Sequence, residues 1–486
     1  MKYIIEPWEH QKKAIALAFK ALVTDKLQGF ALFMEMGTGK TATTINILRM
    51  LFGINKRVMR TIIFCPPVVR ENWKREFRMH SKIDQKDIIV LEGAGTKRYD
   101  KFTLNAFEEA FGPLTSAKKN KVFITNYESL SMEKLFKMIS IWEPEILIFD
   151  ESHKLKSHKS KRTKLAIKLA DKAAYKVALT GTPILNTPMD IWSQFRILDG
   201  GQTFDKNFFA FRARYFQDKN AGMPTTKYFP DWRPIQGLEQ MFNGLIYRKA
   251  FRALKKDCLD LPEIVRKRVD VEMSPDQRRM YKEMERLYVT YLGDKACVAS
   301  IALTKALRLQ QITSGHFVDD TGQAHNFKTN PRIDALGEIL AQLVDDHKVI
   351  VWSAFKQNYK AIVALCEKLE APAVTLTGGM TDKQRQRAID DFQEKPSVRV
   401  MIANQQAGGT GVNLTAASYM VYFSKGYALE ADLQSEARCH RGGSEIHESI
   451  TRIDLVAPDT IDQVITEALA RKENLANNIL RLKELL

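Results

Sequence analysis

Two α/β lobes, each a parallel sheet covered by helices, are what this sequence predicts, and three observations predict them. Short apolar runs rich in β-branched and aromatic residues alternate with stretches of helical apolar spacing. The alternation breaks at residues 200–245 and then resumes. The runs end in Gly, Pro, Asp or Thr, as strands do where a parallel sheet hands the chain to a loop. The first set of strands is expected at 30–34, 61–65, 121–125, 145–149 and 176–179, with helices such as 8–22 and 41–52 between them. Residues 200–245 are rich in aromatics, Gly and Pro (YFPDWRPIQG) and have no clean period, which suggests an insertion or an inter-lobe region. The second set of strands is expected at 348–352, 373–376, 398–403 and 419–423, and the tail 460–486 reads as one helix. The lobes are therefore placed at 1–245 and 246–486.

Composition narrows the class. A chain of 486 residues with 45% hydrophobic and 27% charged residues fits two or three domains of about 150 residues each, and is too apolar to be disordered. No apolar run approaches the ~20 residues of a membrane span. The start, MKYIIEPWEHQKK, has charges where a signal peptide needs an apolar stretch. Five scattered cysteines without C-x-x-C spacing agree with a reducing compartment. The expected location is the cytoplasm of a bacterium or virus-infected cell, or the nucleus of a eukaryote. The net charge is +17, with 42 Lys and Arg against 25 Asp and Glu in residues 1–250, and 32 against 32 in the remainder. A basic half beside a neutral half points to a polyanion gripped mainly by the first lobe, most simply nucleic acid; the alternative is a solubilising surface.

Three segments carry chemistry. In FALFMEMGTGKTATTINIL a strand runs into Gly37-Thr38-Gly39-Lys40-Thr41 and then a helix, the context a phosphate-binding loop requires. Glycines let backbone N–H groups close on phosphates, Lys40 supplies a cation, and the Thr41 hydroxyl suits magnesium. Met34 stands where the usual pattern has its first glycine, and a Gly-rich helix cap is the alternative. In EILIFDESHKLKS four apolar residues lead into Asp150-Glu151, a pair suited to organising magnesium and aligning water; a capped helix start is the alternative. In QSEARCH the spacing puts Gln434, Arg438 and Arg441 on one face of a helix. The run HKLKSHKSKRTKLAIKLADK holds eight cations in nineteen residues and suggests a DNA-facing loop and helix or a solvated face. His153, His158, Cys439, His440 and His447 match no zinc spacing, and Trp73 and Trp352 read as packing residues.

Taken in order, PWEHQKKAI, MEMGTGKT, TIIFCPPVVRENWKREF, VFITNYESL, ILIFDESHKLKS, VALTGTPILN, VIVWSAFKQN and MIANQQAGGTGVNLTAASYMVYFSKGYALEADLQSEARCHRGG resemble the successive helicase motifs of superfamily-two ATPases. The wording is similar to that of the Swi/Snf-type DNA translocases. The D-E-S-H-x-L-K box looks like the annealing-helicase, fork-remodelling branch. The resemblance covers about residues 4–460 and implies two RecA-like lobes with ATP in the cleft between them. It implies that Gln11 reads adenine, that Gly37, Thr38, Gly39, Lys40 and Thr41 hold the phosphates, and that Thr41 and Asp150 hold magnesium. Glu151 becomes the catalytic base, Thr180-Gly181-Thr182 the coupling motif, and Gln434, Arg438 and Arg441 the motif whose arginines reach the γ-phosphate. Thr125, Asn126 and Thr410 become DNA contacts beside Lys159, Lys161 and Arg162. After His440-Arg441 the family continues with Gly and Gln, whereas this chain has Gly442-Gly443-Ser444.

The expectation is a compact, monomeric DNA-dependent ATPase that tracks along double-stranded or branched DNA, using ATP and magnesium, with replication or repair proteins as partners. Branch migration or reannealing is the expected outcome. The absence of a visible accessory segment favours a minimal bacterial or viral enzyme. The rivals are a strand-separating DNA or RNA helicase and a non-enzymatic DNA-binding scaffold.

Overall fold

The computed structural model describes residues 3–93, 95–108, 117–222, 230–290, 298–319, 321–405 and 412–480. The chain forms two compact units, Met1–Cys258 with Lys472–Leu486, and Leu259–Arg471.

The strands of the first unit are β1 (Gly29–Met34), β2 (Thr61–Phe64), β3 (Ile88–Val90), β4 (Val122–Thr125), β5 (Ile146–Asp150), β6 (Tyr175–Leu179), β7 (Phe216–Asp218), β8 (Trp232–Pro234) and β9 (Ala250–Ala253). Seven of them make one sheet in the order β3-β4-β2-β5-β6-β1-β9, and every pairing in it is parallel. Strands β1, β2, β4 and β5 are buried along their whole length, which is why they read as unbroken apolar runs. Alternate side chains serve opposite faces: Ile63, Ile146 and Ile148 enter one core, while Ile62, Phe64, Leu147 and Phe149 enter the other. Residues 200–245 belong to this unit. Phe204, Phe211, Tyr215, Phe216 and Phe242 form an aromatic core there with the helix Asp190–Asp199, and β7 and β8 pair as a short hairpin.

The division between the units falls after Cys258 rather than at 245/246. The reason is β9, which pairs with β1 from Ala31↔Ala250 to Met34↔Ala253 and so extends the first sheet. Four residues, one of them Arg252, carry too little alternation to announce a strand.

In the second unit the strands are β10 (Glu263–Asp270), β11 (His316–Val318), β12 (Ala324–Asn326), β13 (Val349–Trp352), β14 (Ala373–Leu376), β15 (Val400–Ala403), β16 (Tyr419–Tyr422) and β17 (Ser449–Val456). Six form a parallel sheet in the order β10-β17-β16-β13-β15-β14. Again the inner strands alternate between two cores, Val349 and Val351 in one and Ile350 and Trp352 in the other. The fold class is therefore two RecA-like lobes, each a parallel sheet covered by helices. No helix among the described residues is long and apolar enough to cross a membrane.

Candidate functional site

The order β5-β6-β1 in the first sheet brings three strand ends together. After β1 the chain turns through Gly37 and Gly39, both with positive φ (85° and 81°), and Gly39 caps the helix Lys40–Ile54. The loop is closed by Thr38, whose N and Oγ1 both donate to Glu35 O, at 3.3 and 2.7 Å. Lys40 Nζ donates to Met34 O at 2.9 Å, folding the ammonium back over the strand end. Thr41 follows in the same first turn, half-buried. The buried Gln11, on the helix Glu9–Phe19, donates from Nε2 to Thr38 O at 3.2 Å and accepts from Trp8 N at 2.9 Å. Glycine is required at 39 twice over: a Cβ there would stand 1.9 Å from Gln11 Nε2, on a backbone that L side chains rarely adopt.

The end of β5 presents the acid pair. Asp150 is buried; its Oδ2 accepts from Trp73 Nε1 at 2.9 Å and its carbonyl from Tyr127 OH at 2.7 Å. Burial first, and the neighbouring Glu151 second, push its carboxyl up to about 6, while Trp73 and Lys40 oppose the shift. Glu151 sits in the left-handed region (φ 55°, ψ 53°), unusual for a residue with a Cβ and a mark of strain held by surrounding structure. Its Oε2 is buried and makes no hydrogen bond among the described residues, although His153 Nδ1 lies 3.3 Å away. The same imidazole nitrogen is 2.9 Å from Thr180 Oγ1, which also accepts from Thr182 N at 3.0 Å. Thr180-Gly181-Thr182 follows β6, so side chains run continuously from the acid pair to that loop. Gly181 lies against β1's exit: a Cβ there would be 3.3 Å from both Glu35 Cα and Met34 O. Gln11, Gly37, Thr38, Gly39, Lys40, Asp150 and Glu151 are thus brought into one neighbourhood. Sequence reasoning treated Trp73 as packing only, set His153 aside as matching no zinc spacing, and missed Tyr127; the partners of Trp73 and Tyr127 on Asp150, and that of His153 on Thr180, lie far along the chain.

In the second unit the helix Leu429–Cys439 carries Gln434 and Arg438, both buried. Gln434 Nε2 donates to Glu430 Oε1 at 3.2 Å. The expectation that Arg441 shares this helical face is corrected. The helix is capped at His440, and Arg441 lies beyond it, where Gly442 and Gly443 (φ 100°) turn the chain away. The two arginines converge nonetheless: Arg438 Nη1 and Arg441 Nη1 both donate to Val412 O, at 3.3 and 3.4 Å. Burial lowers the affinity of the Arg441 guanidinium for its proton, and no carboxylate pairs with it among the described residues. The helix itself is oriented by Arg452 on β17, which binds Asp432, Glu436 and Asp454 and lies 4.1 Å from the Tyr422 ring centroid.

The basic run starts in the tight turn Ser152–Leu155 and continues along the helix Lys161–Ala170. Lys159, Lys161, Lys164, Lys168 and Lys172 are exposed. Arg162 is half-buried, 3.5 Å from Glu128 and 5.9 Å from the Tyr127 ring centroid. Two neighbours need correction as candidate DNA contacts. Thr125 is fully buried, with its hydroxyl 2.6 Å from Ser129 Oγ, and Asn126 is buried, with Oδ1 accepting from Arg98 Nη1 at 2.7 Å. The group that closes over that strand end is the half-buried Arg98, which sequence reasoning missed. Thr410, with Gly409 and Gly411, lies outside the described residues. Among the described residues no three His, Cys, Asp or Glu side chains gather as a metal cage.

Comparison with known proteins bears on this geometry. The SNF2-related domain matches residues 10–318, and the helicase conserved C-terminal domain matches residues 331–443. An uncharacterized ATP-dependent helicase of Mycoplasma genitalium is 24% identical over 97% of this chain, which spans 42% of that protein. Chromodomain-helicase-DNA-binding protein 7 of Homo sapiens is 24% identical over 93% of this chain, and the match covers 16% of it. This chain thus spans less than half the length of either relative. The SWI2/SNF2 ATPase core of Sulfolobus solfataricus, solved in complex with double-stranded DNA, is 22% identical with a TM-score of 0.44, covering 98% of this chain and 93% of that one.

One outcome follows from the acid pair's surroundings. Because the Trp73 N–H stabilises the charged form of Asp150, Trp73→Phe is expected to move that carboxyl further up from about 6. A pH titration of carboxyl-labelled aspartate by NMR reads the shift directly, and an unchanged midpoint would show that the indole does not stabilise the carboxylate.

Proposed function

The chain belongs to the SNF2-related family of helicase-like ATPases, and from that premise we propose that it hydrolyses ATP in response to duplex DNA and moves along the DNA backbone without reading sequence. The observation that carries the reading is the meeting of three loops at the ends of β1, β5 and β6, one phosphate-binding in form, one acidic, one hydroxyl-bearing. The residues present fit a nucleotide with magnesium. Two positive-φ glycines form a cradle, Lys40 supplies a cation, and Thr41 and Asp150 are hard oxygen donors of the kind magnesium takes. Bound magnesium would neutralise charge developing on the phosphates. Gln11 keeps a second amide N–H and a second oxygen lone pair for an adenine edge. Glu151, with a buried oxygen that makes no hydrogen bond, is suited to hold and orient the attacking water. Arg438 and Arg441, gathered on one carbonyl, are the candidates to meet the γ-phosphate.

DNA as partner rests on the charge excess of the first half and on the exposed lysines that follow the acid pair. One relative's name includes DNA binding, another's ATP-dependent helicase, which agrees with both halves of the proposal. Reannealing or branch migration is the proposed outcome, on the wording of the D-E-S-H-x-L-K box. Hydrolysis rates with no nucleic acid, duplex DNA, single-stranded DNA, forked DNA and RNA test it. Stimulation by duplex or forked DNA is expected; stimulation by RNA or single strands alone would favour a strand-separating helicase, and no hydrolysis would favour a binding scaffold.

Lys40→Ala is expected to weaken nucleotide binding, whereas Glu151→Gln leaves binding largely intact and stops turnover, because one side chain meets phosphate and the other water. Nucleotide affinity and hydrolysis measured on both variants check this, and equal loss of binding in the two would contradict the assignment.

Arg438→Ala or Arg441→Ala is expected to lower turnover by roughly 10³- to 10⁵-fold, with poor rescue by lysine, since a point charge cannot make the forked contact. Near-normal rates in the lysine variants would count against contact with the γ-phosphate.

Replacing Lys159, Lys161 and Arg162 together with glutamine is expected to weaken duplex binding at all sequences. It should also flatten the fall of log K with log salt by up to about three units, at about 0.9 per phosphate contact. A salt slope equal to that of the unmodified protein would place the run on a solvated face.

A further inference from the structure

The insertion at 200–245 carries a feature that the proposed function leaves unused. The helix Phe208–Tyr215 starts at Asn207, whose Oδ1 accepts from Phe209 N at 2.7 Å and Ala210 N at 3.3 Å. Its first two residues part company. Phe208 turns inward and stacks on His158, with ring centroids 3.7 Å apart and planes 14° apart, edge-on to Trp192 at 5.5 Å. Phe209 turns outward and is 60% exposed, more than any other described phenylalanine or tryptophan among the exposed apolar side chains. One turn on, Arg212 places its guanidinium 5.3 Å from the Phe209 ring centroid and 4.0 Å from that of Trp232. No carboxylate pairs with Arg212 among the described residues.

The surroundings are cationic. His158 is the residue before Lys159, so the ring stack joins the basic run to the insertion. Burial first, then Lys159, Arg212 and Lys164, disfavour a proton on His158. Lys206 and Arg214 are exposed on the same helix and its lead-in, and Asp205 is the acid beside them, capping Asn207 N at 2.9 Å. An exposed ring costs hydration, and clustered cations repel one another, so a partner offering a flat apolar face and a phosphate together would satisfy both. Paired bases in a duplex hide their faces against their neighbours; an unpaired base does not.

We propose that Phe209, steadied by Arg212, is a stacking platform for an unpaired base of branched DNA, beside the phosphate contacts of Lys159, Lys161 and Arg162. The inference rests on the DNA-dependent reading above and adds to it a named contact, on the 200–245 insertion, for the single-stranded segment next to duplex. An acidic protein segment is the other occupant such a surface would take, and the test separates the two.

The experiment measures binding of a labelled duplex, and of the same duplex with a single-stranded arm carrying 2-aminopurine, to the full chain and to Phe209→Ala, Phe209→Leu and Phe209→Trp. Because Phe209 is exposed, all three are expected to fold, which thermal unfolding checks. Phe209→Ala should weaken binding of the forked DNA by roughly 5- to 150-fold, the range for losing one base stack, and leave the plain duplex unchanged. Phe209→Trp should restore fork binding and Phe209→Leu should not, and 2-aminopurine should be quenched by the unmodified chain and by Phe209→Trp alone. Equal losses on duplex and fork, an unaltered fork affinity, or rescue by leucine as good as by tryptophan would overturn the proposal and leave the patch to protein docking. If the unmodified chain bound neither DNA, the DNA-dependent reading itself would fall, an outcome distinct from any variant's.

Discussion

Everything in the first unit's site depends on how closely the backbone can approach the exit of β1. Met34–Met36 is touched from three sides: by Lys40 from the loop that follows, by Gly181 from the loop after β6, and by the last strand, through Glu35 N donating to Ala253 O at 3.0 Å. A Cβ at 181 would already be tighter than ordinary van der Waals contact with two backbone atoms. The segment also holds the chain that leaves the unit, because Glu35 Oε2 accepts from Lys255 N at 2.7 Å, at the first residue of the short helix Lys255–Cys258. One three-residue stretch therefore fixes the phosphate loop, the hydroxyl loop and the departing chain with respect to each other. Such a crossing suits a site whose parts must keep registry to a fraction of an ångström.

Much of this was legible in the sequence, and the reason is physical. Strands buried on both faces must be apolar throughout, so β1, β2, β4, β5 and β13 declared themselves. Of the edge strands only β14, at Ala373–Leu376, did so, and β3, β9 and β10 did not. β3 and β9 are three and four residues long, and β10 alternates charges because its side chains are largely solvated. β17 was hidden for another reason: it is mostly buried, yet it carries Arg452, which pairs with Asp432 and Glu436 of the helix Leu429–Cys439, and Asp454, which pairs with Arg452 and Lys425. Buried charge that is fully paired in space looks, along the chain, like a surface.

The same distinction separates the legible part of the site from the rest. Gly37–Thr41 and Asp150-Glu151 act through local backbone geometry, which a contiguous stretch can encode. The groups that tune them cannot be read that way: Trp73 and Tyr127 reach Asp150 only because β2, β4 and β5 are neighbours in the sheet. Arg441 illustrates the opposite error. Its spacing from Arg438 is that of a helical face, but the glycines that follow end the helix first, and the convergence on Val412 O comes from the turn instead. Thr125 and Asn126, which look like free hydroxyl and amide groups at a strand end, are consumed by Ser129 and Arg98.

How a surface of lysines could bear on a buried acid pair is answered by the turn between them. Leaving Glu151, the chain buries Ser152, His153 and Leu155 in succession. These groups are tied to three other elements: Ser152 Oγ to Gln194 Oε1 at 2.7 Å and Lys156 O to Ser193 Oγ at 3.0 Å, both on the helix Asp190–Asp199, His153 to Thr180, and Leu155 O to Thr163 Oγ1 at 3.0 Å. Four separate hydrogen bonds in so short a stretch leave the backbone little freedom to move without disturbing β6's loop or the helices Asp190–Asp199 and Lys161–Ala170. The cations that follow, Lys159 onward, are long and solvated at their tips, but their Cα positions are inherited from this pinned turn. The first anchors of that turn, Ser152 on Gln194 and His153 on Thr180, stand immediately after Glu151. The chain that presents the cations is therefore the same short, pinned chain that leaves Glu151.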